Sequence, residues 1–160
     1  MQHFEKNIII PATPEMIFQN VDDHSRFSSH MNKSSWMMGG GKMDVSVDVG
    51  HGQKVGSHIR LSGKAFGIKL YLDEVITHYE PPFTKTWETV GIPKLLIIGS
   101  YRMSISIKPQ NNQSLLNISI DYDLPKTNVW FGRLFSGIYA RWCVKQMISG
   151  VHDYFTLKNK

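Results

Sequence analysis

Residues 128–155 read NVWFGRLFSGIYARWCVKQMISGVHDYF, and no proline interrupts these almost thirty positions. Such a run is much longer than the ~12 residues of an average globular helix. Leu124-Pro125 comes just before it, and Asn128 has the side chain of a helix N-cap. The stretch therefore predicts one long C-terminal helix, and the rest of the fold is expected to be arranged around it.

The apolar side chains of this predicted helix form two stripes at helical spacing, about half a turn apart. The stripes are Phe131, Leu134, Phe135, Ile138 and Trp142, and then Val144, Met147, Ile148, Val151 and Phe155. A helix that is apolar on two sides is predicted to be enclosed or to touch several partners. Gly132, Gly137 and Gly150 each cost about 1 kcal/mol in a helix, which predicts a bend or a close approach.

Most of the preceding hundred residues alternate apolar with polar side chains, which is typical of strands with one buried face. The predicted strands are 4–10, 43–49, 55–62, 68–79, 84–90, 97–108 and 116–122. Two short helices are predicted after the first strand, starting at Thr13-Pro14-Glu15 and at Asp22-Asp23. Hairpin-length loops make neighbouring strands antiparallel. The sequence thus predicts an α+β domain over residues 1–160, in which a curved antiparallel sheet of about seven strands wraps the long helix.

Composition narrows the functional classes. The net charge is +5 and the isoelectric point is near 9.3, but the lysines and arginines form no run, so no nucleic-acid site is predicted. The single cysteine, Cys143, lies inside the helix and excludes an intrachain disulfide. The apolar run near the start of the chain is too short for a signal peptide, and no apolar run is long enough to span a membrane. A cytoplasmic location is expected.

Several short motifs together resemble the START-like superfamily, in its polyketide cyclase/dehydrase and lipid-transport branch (SRPBCC). They are residues 9–15 (IIPATPE), 35–41 (SWMMGGG), 80–82 with 87–91 (EPP and WETVG), 98–103 (IGSYRM), 122–125 (YDLP) and 139–143 (YARWC). The resemblance implies a helix-grip fold with a cavity between helix and sheet that accepts sterols, lipids or polyketides. It carries over no catalytic residue, because a fold alone does not fix an activity.

No local catalytic or metal motif emerges. Gly39-Gly40-Gly41-Lys42 fails as a phosphate-binding loop, because Trp36 stands where the first glycine belongs and Met43 replaces the Ser/Thr. A bulge or sharp bend in a strand is the preferred interpretation of these glycines. The seven histidines lack metal-ligand spacing. No metal or cofactor is therefore expected.

Methionine and aromatic side chains are the features most suggestive of a ligand site, since pockets are mainly apolar with a few polar anchors. The candidate wall of the cavity is Trp36, Met38, Trp87, Tyr101, Tyr122, Ile138 and Trp142. The first hypothesis is a binder or carrier of a small hydrophobic ligand. A polyketide cyclase/dehydrase-like enzyme and a protein-interaction module stay open, as does weak membrane-surface contact, and the oligomeric state is undetermined.

Overall fold

The computed structural model describes residues 1–27, 42–127 and 129–157. Seven strands form one sheet in the order β1-β7-β6-β5-β4-β3-β2, and every neighbouring pair is antiparallel. The strands are β1 (Gln2–Ile10), β2 (Lys42–Val47), β3 (His58–Ala65), β4 (Ile68–Glu80), β5 (Thr84–Lys94), β6 (Tyr101–Gln110) and β7 (Gln113–Tyr122). The helices are α1 (Pro14–Asp22), α2 (His24–Phe27) and α3 (Val129–Leu157).

The predicted architecture is confirmed: a seven-stranded antiparallel sheet is covered by one long C-terminal helix. Alternation along the strands decides which face is covered. On β6, Met103, Ile105 and Ile107 are buried, and on β7 Leu116, Ile118 and Ile120 are buried. Their polar neighbours face outwards, where Arg102 of β6 forms a two-bonded ion pair with Glu88 of β5. One face of the sheet is therefore apolar and needs α3 as its cover.

Sequence and structure differ most at strand ends. The segment predicted as a strand from residue 97 begins its ladder only at Tyr101, because residues 95–100 run outside the sheet. β5 instead continues past Gly91, which adopts a positive φ of 70°, to Lys94. The alternation pattern could not locate the end of β5 or the start of β6, since apolar residues continue through the loop between them. The N-cap predicted at Asn128 and the glycine bulge at 39–41 lie outside the described residues.

The first half of α3 turns small side chains towards the interior of the protein. Gly132, Ser136 and Ala140 are buried at four-residue spacing, and α3 packs chiefly against β1. A Cβ on Gly132 would collide with the ring of Pro125, whereas the space around Gly150 is open. The predicted close approach is thus present at Gly132.

The contrast between these two glycines is testable by thermal unfolding. Gly132→Ala is expected to lower the free energy of unfolding by about 1–3 kcal/mol, because the rigid Pro125 ring must move. Gly150→Ala is the matched control and should raise it by up to about 1 kcal/mol, as an open helical position gains propensity. Equal effects of the two substitutions would contradict the close packing at Pro125.

No helix within these three described ranges is both long and apolar enough to cross a bilayer.

Candidate functional site

A small cavity lies between the middle of α3 and the apolar face of the sheet. Its volume is about 30 Å³, enough for one or two water molecules. Most of its walls are hydrocarbon, supplied by Leu61, Leu72, Ile98, Met103 and Ile120. The same cavity is bordered by polar side chains from four different elements. It therefore has the mixed lining typical of a ligand site: apolar walls and a few polar groups.

A buried carboxylate is the chemical centre of this lining. Glu74 of β4 is only 2% exposed, and the Tyr101 hydroxyl donates a hydrogen bond of 2.5 Å to its Oε1. Nε2 of the buried His24 lies 3.7 Å from Oε2 of Glu74. Nδ1 of His24 has no hydrogen-bond partner among the described residues. Tyr101, Glu74 and His24 are called the inner polar cluster below.

Two further groups on α3 face the same cavity. The Tyr139 hydroxyl hydrogen-bonds to the Cys143 sulfur, and both residues are buried. Burial raises the pKa of the Cys143 thiol to about 12 and the pKa of Tyr139 well above its usual value. Burial, followed by the charge of Glu74, also raises the pKa of Tyr101. All three groups are therefore neutral hydrogen-bonding groups at physiological pH.

A wider groove opens outside this cavity. Its volume is about 380 Å³, and it runs between the start of β4, the end of β5 with the β5–β6 connection, and the segment before α3. Leu95 and Ile98 line both the groove and the inner cavity. These two side chains thus separate the outer groove from the inner polar cluster.

Comparisons with known proteins bear on the fold. No model of a protein family matches the sequence, and neither does any curated protein sequence. Similar solved structures exist, however. The protein TTHA0849 of Thermus thermophilus superposes with a TM-score of 0.69 at 13% identity, over 99% of this chain and 100% of that one. A point mutant of norcoclaurine synthase from Thalictrum flavum, in complex with a transition-state analogue, gives 0.69 at 9% identity, over 99% and 96%.

A third similar structure is StfQ, a di-domain aromatase/cyclase of the steffimycin biosynthetic pathway. Its TM-score is 0.69 at 8% identity, over 98% of this chain. This chain spans about half the length of StfQ, with 52% of it covered. The chain has the helix-grip fold of these structures. The resemblance read from the sequence is thereby confirmed at the level of fold.

The helix-grip structure brings only part of the predicted cavity wall together. Trp87 and Tyr101 line the inner cavity, and Trp87 packs edge-on against His24 with ring centroids 5.1 Å apart. Tyr122 is buried, but its hydroxyl donates to Oε1 of Gln2 at 2.8 Å, away from the cavity. Trp142 is half-buried beside Tyr139 and lies outside the lining. Trp36 and Met38 lie outside the described residues.

Ile138 was predicted to line the cavity, but its side chain is 53% exposed on the outer side of α3. The stripe that contains it was predicted to be enclosed, yet Leu134 is exposed as well. The cause is that the small residues 132, 136 and 140 form the contact face. The prediction rested on large apolar side chains, whereas close packing of α3 on the sheet selects small ones. The second stripe, from Val144 to Phe155, is buried as predicted.

The inner polar cluster was largely missed, although strand alternation contained the signal for it. Leu70, Leu72 and Ile76 lie on the apolar face of β4, so residue 74 shares that face. A glutamate at this position is a charged residue on a dry surface. Tyr139 and Cys143 follow from helical spacing only once the rotation of α3 is known. His24 could not be found, because its position depends on how α2 packs on Trp87.

A buried ion pair connects α1 to the sheet outside the cavity. Lys85 of β5 is fully buried, and its Nζ donates to Oδ1 of Asp22 at 2.8 Å. The Tyr79 hydroxyl donates to Oδ2 of the same carboxylate at 2.8 Å. Burial lowers the pKa of Lys85, and the neighbouring Asp22 opposes that shift. This pair fixes the C-terminal end of α1 to the sheet, next to His24.

Removing one member of this pair is expected to be costly. Lys85→Met should lower the free energy of unfolding by about 3–5 kcal/mol, because Asp22 is left as an unpaired, largely buried charge. Lys108→Met, on an exposed lysine of β6, is the matched control and should change it by no more than about 0.5 kcal/mol. Chemical denaturation measures both.

The double variant Lys85→Met/Asp22→Asn should regain part of the loss, since no unpaired charge stays buried. A double variant less stable than Lys85→Met alone would show that the charge pair is not the source of the stability.

Among the described residues, no group of three or more histidine, cysteine, aspartate or glutamate side chains is arranged to hold a metal ion.

Proposed function

We propose that this protein binds a small, mainly apolar molecule carrying a hydrogen-bonding group, between α3 and the sheet. One observation carries the proposal: the half-buried Tyr101 donates a hydrogen bond to the buried Glu74 at the edge of a cavity with apolar walls. Burying a carboxylate costs free energy unless it is paired. Binding of a polar ligand group would explain why a carboxylate is buried here despite this cost.

The lining indicates what the ligand offers. Nδ1 of His24 and the oxygens of Glu74 are the groups able to bond to a ligand polar atom, while Leu61, Leu72 and Met103 contact its hydrocarbon part. The ligand class is therefore an alcohol, phenol, ketone or amine on an apolar skeleton. The likeness to norcoclaurine synthase and StfQ supports a small-molecule role, since those names describe proteins that act on small molecules.

The size of the cavity sets a condition on binding. About 30 Å³ does not hold a lipid or a polyketide. A larger ligand must displace Leu95 and Ile98, which lie between the outer groove and the inner polar cluster. Residues 95–100 run outside the strands, so their movement breaks fewer ladder hydrogen bonds than movement of a strand. We place the entry route there.

The binding test uses Nile red, a neutral lipophilic dye with a carbonyl acceptor, followed by fluorescence titration. Leu72→Phe fills the inner cavity and should weaken dye binding by roughly tenfold or more. Leu134→Phe makes the same change on the exposed side of α3 and should leave the affinity unchanged. Tyr101→Phe removes the inner hydroxyl and should shift the affinity, whereas Tyr71→Phe, on an exposed tyrosine, should not.

Equal affinities for Leu72→Phe and Leu134→Phe, with both variants folded by circular dichroism, would place the dye on the surface and contradict the proposal. Absence of binding to the wild-type protein would contradict it as well and would favour an interaction module with a filled core.

A second candidate function is an enzyme, favoured by the chemistry of the inner polar cluster. Glu74, Tyr101 and His24 combine a carboxylate, a phenol and an imidazole within hydrogen-bonding or near-contact distance. Such groups can remove and return a proton next to a carbonyl, with Glu74 as base and Tyr101 as donor. This is the proton transfer that a cyclase or dehydratase requires.

Proton exchange tests the enzymatic candidate without knowledge of the natural substrate. An aliphatic methyl ketone in deuterium oxide should exchange its α-protons faster with the protein than with buffer, as followed by NMR. Glu74→Gln should abolish the excess, and the matched exposed variant Glu80→Gln should retain it. Exchange at the buffer rate, or equal loss in both variants, would rule out this chemistry at Glu74.

We also propose the cytoplasm as its location, because the only cysteine in the chain is the buried Cys143.

A further inference from the structure

An exposed apolar stripe runs along the outer side of α3. Trp130 and Leu134 are 70% and 60% exposed, and Ile138 continues the stripe one turn further. The three residues are spaced by four and therefore lie close to one line, about 12 Å long, on one side of the helix. Exposed apolar patches of this kind mark a surface that another partner covers. The stripe faces away from the inner cavity, so it has no part in the proposed ligand site.

From Val129 to His152, the charged residues of α3 are all basic. Arg133, Arg141 and Lys145 are exposed on the same helix, and Lys126 precedes it. No aspartate or glutamate occurs between Asp123 and Asp153. The stripe and these basic residues are called the outer α3 face below. It combines apolar side chains, including a tryptophan, with four exposed basic residues.

We propose that the outer α3 face docks on an anionic lipid surface. Helices that lie in a membrane interface have an apolar side with Trp, Phe or Leu and a polar side rich in Lys and Arg. Basic residues near an anionic surface each strengthen binding about fivefold. Trp130 would sit at the headgroup level, where its ring has one apolar and one polar side. The proposal is independent of whether the inner cavity takes a ligand.

The charge distribution argues against a second copy of the chain as the occupant. A two-fold contact through this face would bring Arg133, Arg141 and Lys145 of one copy towards the same residues of the other. Like charges at close range oppose such a contact. An anionic surface instead complements every charge on the outer α3 face.

Vesicle co-sedimentation of the full chain tests the proposal. Vesicles of phosphatidylcholine mixed with phosphatidylserine should bind the protein at low salt, and vesicles of phosphatidylcholine alone should bind it far less. High salt should release it, because surface charges are screened. Trp130→Ser/Leu134→Ser should abolish binding. The matched pair Val49→Ser/Val55→Ser, on apolar residues exposed near the β2–β3 connection, should leave it unchanged.

The charge component has its own matched pair of variants. Arg133→Gln/Lys145→Gln should lower the partition coefficient by roughly 30-fold, about fivefold for each charge. Lys54→Gln/Lys108→Gln removes two exposed charges elsewhere and should lower it much less. All variants should keep the wild-type melting temperature within a few degrees, because the replaced side chains are exposed.

Three outcomes would overturn the proposal. The first is no binding to anionic vesicles at low salt. The second is binding that both serine pairs, or both glutamine pairs, reduce equally. The third is a dimer in sedimentation equilibrium that Trp130→Ser/Leu134→Ser dissociates, which would assign the outer α3 face to a second copy of the chain.

Discussion

Burial of one face of the sheet beneath α3 is the interaction on which the rest of the structure depends. Buried and more exposed side chains alternate along most of β3 to β7, so their apolar residues form one surface that water would otherwise cover. Among the described residues, α3 is the only helix long enough to cover much of it. The helix does so in two ways. Its first half approaches through Gly132, Ser136 and Ala140, and its second half buries Val144, Met147, Ile148 and Val151.

This division explains where the cavity lies. Small side chains let the start of α3 pack closely on Pro125, and large ones fill the space near its end. Between them, Tyr139 and Cys143 face Glu74 and Tyr101 across a gap of about 30 Å³. A hydrocarbon core of the same size would avoid the free-energy cost of burying polar groups, because buried carboxylates, phenols and imidazoles need hydrogen-bond partners. The inner polar cluster is therefore the part of the core that stability alone does not explain.

The fold was predictable because its determinants are periodic. Two patterns were sufficient to predict the sheet, the long helix and the order of the elements. They are the strand alternation from Met43 to Tyr122 and the proline-free run after Asn128. The site was not predictable to the same degree. Trp87 and Tyr101 lie beside the inner cavity, whereas Ile138 faces outwards, because the rotation of a helix depends on its small residues as much as on its large ones. The position of Glu74 on the apolar face of β4 follows from strand alternation. The position of His24 depends instead on a tertiary contact that no local sequence pattern indicates.

The single cysteine gives the most direct measurement of the central claim, that a guest can occupy the space under α3. Cys143 lines the inner cavity, and its burial keeps the thiol protonated and slow to react. Alkylation of Cys143 by iodoacetamide should become several-fold slower when the protein is saturated with Nile red, as measured by intact mass spectrometry. An unchanged alkylation rate at saturating dye would show that the guest lies elsewhere and would contradict the account.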